Sequence, residues 1–161
     1  MLFNDIMHVA FFTDQMDEMI AFYRDKLGAE IKVLTRYRVY LDRDDRPAMQ
    51  AIARKDPDRI FSVYLELAPG QFVEFFPKGE GQLDRDETPW NGRLGYSHFA
   101  LTVDDIFAVR EQLVAAGVVP DTEISKGPSE TYQFWVSDPD GNKFEVMQFT
   151  DKSYQVVGHV E

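Results

Sequence analysis

The chain of 161 residues contains no cysteine, which excludes disulfides and every thiolate metal centre and leaves imidazole and carboxylate as the strong ligands available. Histidine is nearly as scarce, with three in the whole sequence. Basic residues are outnumbered, 17 Lys and Arg standing against 28 Asp and Glu for a formal net charge of -11. A surface of that sign repels phosphate backbones, and the basic residues are scattered among acids rather than gathered in a stripe, so nucleic-acid binding is not expected. Also missing are a run of about eighteen apolar residues and an N-terminal basic segment leading into an apolar one. Neither a membrane span nor a secretion signal is therefore expected, and the expected location is the cytoplasm. What the chain does have is 44% hydrophobic and 14% aromatic content, enough for one well-cored domain.

Those residues are arranged in two copies of one pattern. His8 sits in the apolar segment IMHVAFF and His98 in YSHFALTV, while Glu74 sits in GQFVEFF and Glu145 in GNKFEVMQF. Asp14 and Asp104 each follow their histidine by six residues, and Gly28 and Gly117 follow by twenty and nineteen, as a helix start and a helix C-cap glycine would. Gly70 precedes Glu74 by four residues and Gly141 precedes Glu145 by four. The copies differ in the middle: His8 to Glu74 is 66 residues and His98 to Glu145 is 47, so the first carries 19 more, placed between Tyr37 and Arg59. Two copies make a module pair rather than an open solenoid.

Periodicity gives the elements. Met16, Met19, Ile20, Tyr23 and Leu27 recur at helical spacing, so residues 14–27 read as an amphipathic helix starting at Asp14, and Ile106, Val109, Leu113 and Ala116 repeat the pattern. Strands are expected over 30–39, 60–67 and 72–76 in the first copy, with a hairpin turn at 68–71. The second copy reads as a weak strand over 118–125, a strong one over 132–136, a turn at Asp138-Pro139-Asp140-Gly141-Asn142, and a strand over 143–149. Each copy is thus strand, helix, three strands. The fold class is α+β, two tandem βαβββ modules at 4–79 and 94–150 within a single domain of residues 1–150, followed by a tail over 151–161.

Side chains two apart on a strand share a face. His8 then lies with Ile6, Ala10 and Phe12, Glu74 with Phe72 and Phe76, His98 with Tyr96, Ala100 and Thr102, and Glu145 with Lys143, Met147 and Phe149. Three of these faces are mostly apolar. A carboxylate aimed into an apolar face is costly to bury unless its charge is compensated, and one divalent cation shared by both glutamates leaves the group near neutrality. A lone strand histidine is more often a hydrogen-bonded structural residue, and a lone strand glutamate more often faces solvent. Four such residues at matched positions favour a metal site made of His8, Glu74, His98 and Glu145. Glu66 has only Ser137 near the corresponding position and is expected to face solvent; His159 is expected to be exposed and without a role.

These marks resemble the vicinal oxygen chelate superfamily, the glyoxalase, bleomycin-resistance and extradiol-dioxygenase proteins. The resemblance runs from about Ile6 to Phe149 and rests on His8 with the helix after it, its Phe22-Tyr23 and Leu27-Gly28 pairs, and the Asp138-to-Asn142 turn before Glu145. It implies paired βαβββ modules whose sheet curls around a cavity holding one divalent ion, whether zinc, nickel, cobalt, manganese or ferrous iron, and it implies a homodimer. The four-ligand set is similar to that of glyoxalase I and related epimerases. The implied chemistry is that of a lyase or isomerase: abstraction of a proton beside a metal-chelated carbonyl, with Glu145 as base and Glu74 as its partner.

The implied substrate is a small molecule with vicinal oxygens. Glyoxalase I carries an arginine four residues after its first histidine and an asparagine four after its first glutamate, where this chain has Phe12 and Lys78; both differences point away from glutathione. Substrate contacts are expected from Phe12, Phe72, Phe76, Arg93, Thr102, Phe134 and Met147. The additional segment carries Arg36, Arg38, Arg43, Arg46, Arg54, Lys55 and Arg59 among Asp42, Asp44, Asp45, Asp56 and Asp58, and is expected to be a solvated loop rather than an anion-pairing cap. Two other classes fit the resemblance: an iron-dependent extradiol dioxygenase, which needs two histidines and one carboxylate, and a metal-independent antibiotic-binding protein.

Overall fold

The computed structural model describes residues 2, 6–84, 92 and 94–160. It divides into two compact units, Met1–Leu83 and Asp84–Glu161, so the boundary falls between the two modules read from the sequence. Each unit contains one four-stranded mixed sheet. The class is α+β, as the repeat implied.

In the N-terminal unit β1 (His8–Thr13) runs into α1 (Met16–Ala21), which continues as a π-helical turn over Phe22–Lys26. β2 (Glu30–Arg36), β3 (Ile60–Ala68) and β4 (Gln71–Pro77) follow, in the sheet order β1-β4-β3-β2. β1 pairs with β4 in parallel, Ala10 opposite Glu74, and β3 pairs with β4 antiparallel, Tyr64 opposite Glu74. One sheet face is the core: Val63, Leu65, Val73 and Phe75 have no exposed surface, and Tyr23 of the helix lies against Phe75 with ring centroids 5.1 Å apart. The wider π turn lets the consecutive Phe22 and Tyr23 both be buried, which a plain amphipathic stripe does not.

The helix starts later than expected. Gln15, not Asp14, occupies the cap position and makes no side-chain cap bond, because Thr13 Oγ1 accepts from the Gln15 amide at 2.9 Å and turns the chain before the helix begins. Gly28 does sit just past the helix with a φ of 76°, the left-handed conformation a C-terminal glycine supplies. The segment from Tyr37 to Arg59 is not an open loop. It forms a 3-10 turn (Tyr37–Tyr40) and α2 (Pro47–Lys55), so β2 ends at Arg36, short of the expected 39. Tyr37 and Tyr40 pack edge-on against Phe61 at 5.5 and 5.1 Å. Its charges are largely paired internally, Arg43 with Asp45 at 2.8 Å and Arg38 with Asp58.

The C-terminal unit repeats the plan with β5 (Phe99–Thr102), α3 (Ile106–Ala115), β6 (Ser125–Lys126), β7 (Tyr132–Ser137) and β8 (Lys143–Gln148), ordered β5-β8-β7-β6. Asp105, one residue beyond the expected Asp104, caps α3 by accepting from the amides of Phe107 at 3.1 Å and Ala108 at 3.0 Å. The strand expected over 118–125 is reduced to the two residues of β6. Before it, the ladder to β7 is taken over by a side chain, Thr122 Oγ1 accepting from the Trp135 amide at 3.0 Å while the Asp121 amide donates to the Trp135 carbonyl at 2.8 Å. The tail folds back within this unit: α4 (Tyr154–Val157) follows the fully buried Ser153, whose hydroxyl accepts from Thr131 Oγ1 at 3.0 Å.

Candidate metal centre

Strand register decides which side chains meet. In the N-terminal unit β1 and β4 put His8, Ala10 and Phe12 on the sheet face that carries Phe72, Glu74 and Phe76, opposite the helix-covered core. His8 Nε2 stands 3.5 Å from Glu74 Oε2. The C-terminal unit does the same with its own pair: Ala100 and Thr102 of β5 lie beside Glu145 and Met147 of β8, and His98 Nε2 stands 3.8 Å from Glu145 Oε2. Each histidine begins or immediately precedes the first strand of its unit, and each glutamate lies on the last strand, parallel to it. The matching spacings in the sequence therefore correspond to matching places in two sheets.

Both carboxylates are buried, Glu74 at 5% and Glu145 at 8% exposure. Burial pushes the Glu145 carboxyl up, and the facing His98 imidazole pulls it down by less. Separations of 3.5 and 3.8 Å are too long for a good hydrogen bond. Two donors each about 2.1 Å from a cation stand about 3.0 Å apart at a right angle and about 3.4 Å apart at the tetrahedral angle. The His8–Glu74 separation lies close to the tetrahedral value and the His98–Glu145 separation is a few tenths of an ångström longer. In both units the residue before the histidine engages its other nitrogen: Met7 Sδ lies 2.9 Å from His8 Nδ1, and Ser97 Oγ lies 3.0 Å from His98 Nδ1. A proton held on Nδ1 leaves the Nε2 lone pair toward the carboxylate, the usual arrangement for a ligating imidazole. Imidazole nitrogen and carboxylate oxygen suit a borderline divalent cation, so the donor chemistry fits. Among the described residues no group of three or more His, Asp or Glu side chains is gathered closely enough to hold an ion; each unit contributes a pair.

A residue absent from the sequence reading completes each pair. Tyr64 of β3 lies directly across from Glu74 and Trp135 of β7 directly across from Glu145. Tyr64 meets the His8 ring edge-on at 5.6 Å and Trp135 meets the His98 ring edge-on at 4.7 Å. The Tyr64 phenol is pushed up to about 12, by burial and then by the facing Glu74 carboxylate, and keeps its proton at any ordinary pH. The signal was present in the numbering: both aromatics precede their glutamate by ten residues.

Two of these pairs, on the parallel first and last strands of two βαβββ units, match one known architecture. The model of the Glyoxalase/Bleomycin resistance protein/Dioxygenase superfamily matches residues 5–146. The chain belongs to this superfamily. Solved superfamily structures share its fold: a glyoxalase family protein from Enterococcus faecalis at 24% identity and TM-score 0.66, covering 91% of this chain and 99% of that one; and lactoylglutathione lyase from Agrobacterium tumefaciens at 22% and 0.59, covering 92% and 96%. A glyoxylase/bleomycin resistance protein/dioxygenase domain from Frankia sp. EAN1pec is similar at 16% identity and TM-score 0.65, covering 94% and 96%. No curated protein is a match. Members of the superfamily bind small-molecule substrates, and in this member no helix among the described residues is long and apolar enough to cross a membrane.

The expected substrate contacts divide. Phe12, Phe72 and Phe76 do share the His8–Glu74 face, Phe12 being 58% exposed with its ring 5.6 Å from that of Phe76. Thr102 and Met147 are register partners on the Glu145 face. Phe134 does not belong with them: it pairs with Val146, next to the Trp135–Glu145 pair, so it points to the opposite face, where it is fully buried. Side chains one apart on a strand point to opposite faces, so Phe134 cannot share the face of Trp135. Arg93 lies outside the described residues. Glu66 is held by the hairpin, accepting from the Gly70 amide at 2.9 Å and facing Lys32 at 3.0 Å, and His159 stacks on Tyr154 at 3.9 Å.

Proposed function

We propose that His8, Glu74, His98 and Glu145 ligate one divalent cation and that the protein is a metal-dependent lyase or isomerase that abstracts a proton beside a carbonyl. The recurrence of a His–Glu pair in both units is the observation that supports this most. Zinc, nickel, cobalt, manganese and ferrous iron all accept such donors. A bound cation would polarise the substrate carbonyl and lower the acidity barrier at the neighbouring carbon.

The chain's own groups supply the rest. Glu145 is the base: its buried carboxylate has a raised proton affinity, which moves it toward the range in which a carboxylate takes up and returns a proton. Glu74 lies on the equivalent strand of the other unit as its partner. Phe12, Phe72 and Phe76 give the Glu74 face an apolar floor, which favours a substrate with a flat or apolar portion over glutathione. The resemblance further supports a homodimer and a cytoplasmic location.

Proton abstraction leaves a label. Metal-loaded protein in deuterium oxide, screened by proton NMR against α-hydroxycarbonyl and thiohemiacetal compounds, is expected to wash deuterium into the carbon beside the carbonyl. Glu145→Gln is expected to lower that exchange by about 10²-fold or more with unchanged circular dichroism. Undiminished exchange in Glu145→Gln contradicts the assigned base. Oxygen uptake with a catechol in place of exchange, or ligand binding indifferent to a chelator and without turnover, contradicts the reaction class.

A further inference from the structure

The end of β2 and the 3-10 turn after it enclose a cavity of about 270 Å³ lined by Leu34, Thr35, Arg36, Arg38 and Val39. In a chain of formal net charge -11, two guanidinium groups lining one cavity reverse the sign locally. The backbone fixes them there: the Tyr37 amide donates to the Arg59 carbonyl at 3.0 Å and the Arg38 amide to the Pro57 carbonyl at 2.9 Å. Both side chains then reach the same residue, Arg36 Nη1 donating to the Asp58 carbonyl and Arg38 Nη2 to the Asp58 carboxylate. A guanidinium carries five donors, so most of each fork is left for a bidentate acceptor. The Arg38–Asp58 pair is a weak competitor, because its side chains are 57% and 70% exposed and such pairs contribute little.

The cavity adjoins the face that carries Glu74. Thr35 lies opposite Ser62 on β3, and Tyr64, two residues further along β3, lies opposite Glu74, so Thr35 projects from the Glu74 side of the sheet. Two strand spacings and one side-chain repeat separate them, about 12 Å between Cα atoms, the span of an extended small molecule. Leu34 and Val39 give the cavity apolar walls. We infer that Arg36 and Arg38 form an oxyanion pocket that takes a carboxylate or phosphate at the far end of a substrate whose carbonyl end lies toward Glu74, with Asp58 as the placeholder that the incoming anion displaces. The pocket belongs to the N-terminal unit alone; that its occupant is the substrate rests on the reading of Glu74 as a metal ligand.

The pocket is tested on protein stripped of metal with a chelating resin, so that the result does not depend on a cation. Phenyl phosphate and benzoate are titrated in turn while the arginine Nε–Hε signals are followed by nuclear magnetic resonance. Saturable shifts of the Arg36 and Arg38 signals are expected with an acid and not with benzyl alcohol, and the tighter of the two acids tells phosphate from carboxylate. Arg36→Gln and Arg38→Gln should each raise the dissociation constant about 10-fold, while Arg54→Gln on α2 stays within about 2-fold. Asp58→Asn should lower it about 3-fold, because the competing carboxylate is gone, a tightening that a merely structural role for the arginines does not produce. Shifts absent with both acids, or wild-type affinity in both arginine variants, overturn the pocket; no tightening in Asp58→Asn overturns the placeholder. In metal-loaded protein, deuterium exchange should show a lower KM for an α-hydroxycarbonyl compound with a terminal phosphate or carboxylate than for its neutral analogue, and Arg38→Gln should abolish the preference. Equal use of both compounds by the wild type overturns the assignment of the pocket to the substrate. Exchange with neither, beside intact anion binding, overturns the lyase or isomerase reading and upholds the pocket.

Discussion

Phe75 shows how much one side chain contributes to positioning the site. It is fully buried, stacks near Phe11 at 6.1 Å and meets Tyr23 at 5.1 Å, and it neighbours Glu74 on the same strand with its side chain on the opposite face. Removing its ring leaves a cavity behind the strand that carries the ligand. Phe75→Ala should cost about 3–5 kcal/mol of stability, read as a lowered urea midpoint at unchanged slope; a loss under about 1 kcal/mol would mean that this face is not the core. At the same scale, the pairing of His8 with Glu74 and of His98 with Glu145 was legible because imidazoles and carboxylates are rare on apolar strands, so their recurrence at matched positions stands out. Tyr64 and Trp135 stood out less, since aromatics are ordinary strand residues and only their matched spacing of ten before each glutamate marks them.

At the scale of elements the reason is register. A two-residue hairpin at Pro69-Gly70 places Ala68 opposite Gln71, and continued without interruption it would set Leu65 against Glu74. The irregularity between Glu66 and Ala68 shifts the ladder by one and brings Tyr64 there instead. A single bulge reverses which face every following residue takes, and nothing in the local sequence announces it. β7 and β8 keep a regular ladder from Ser137 opposite Lys143 to Trp135 opposite Glu145, so Trp135 was within reach, as was the core-facing position of Phe134 beside it. Helix starts behave similarly: both acids expected as caps were off by one, Thr13 turning the chain before α1 and Asp105 capping α3. The Asp105 cap makes a clean prediction. Asp105→Ala removes an acceptor shared by two amides and should cost about 1 kcal/mol, measured by chemical denaturation, while Asp104→Ala should cost less than half as much; the reverse order would show that the cap lies at 104.

For the whole molecule, duplication was the most legible property, because two βαβββ units and their order follow from spacing alone, and superfamily membership agrees with it. The 19 additional residues of the first unit were located correctly between Tyr37 and Arg59, yet their helix was missed. α2 is short, nine residues, and its buried Gln50 and Ala53 are not the large apolar residues that announce an amphipathic stripe. What composition cannot reveal is the substrate, since residues on the glutamate-bearing faces report shape and polarity but not a named molecule. The central claim concerns the ion, because the base and the reaction class both follow from it. Its most direct test is elemental analysis by mass spectrometry of the purified protein after saturation with zinc and removal of excess, for wild type, His8→Ala and His98→Ala. The account predicts one equivalent of metal per chain in the wild type and a large loss in both variants, since each removes a ligand from a single shared ion. Two equivalents per chain, each variant losing only one of them, would contradict it, as would full retention of metal in either variant.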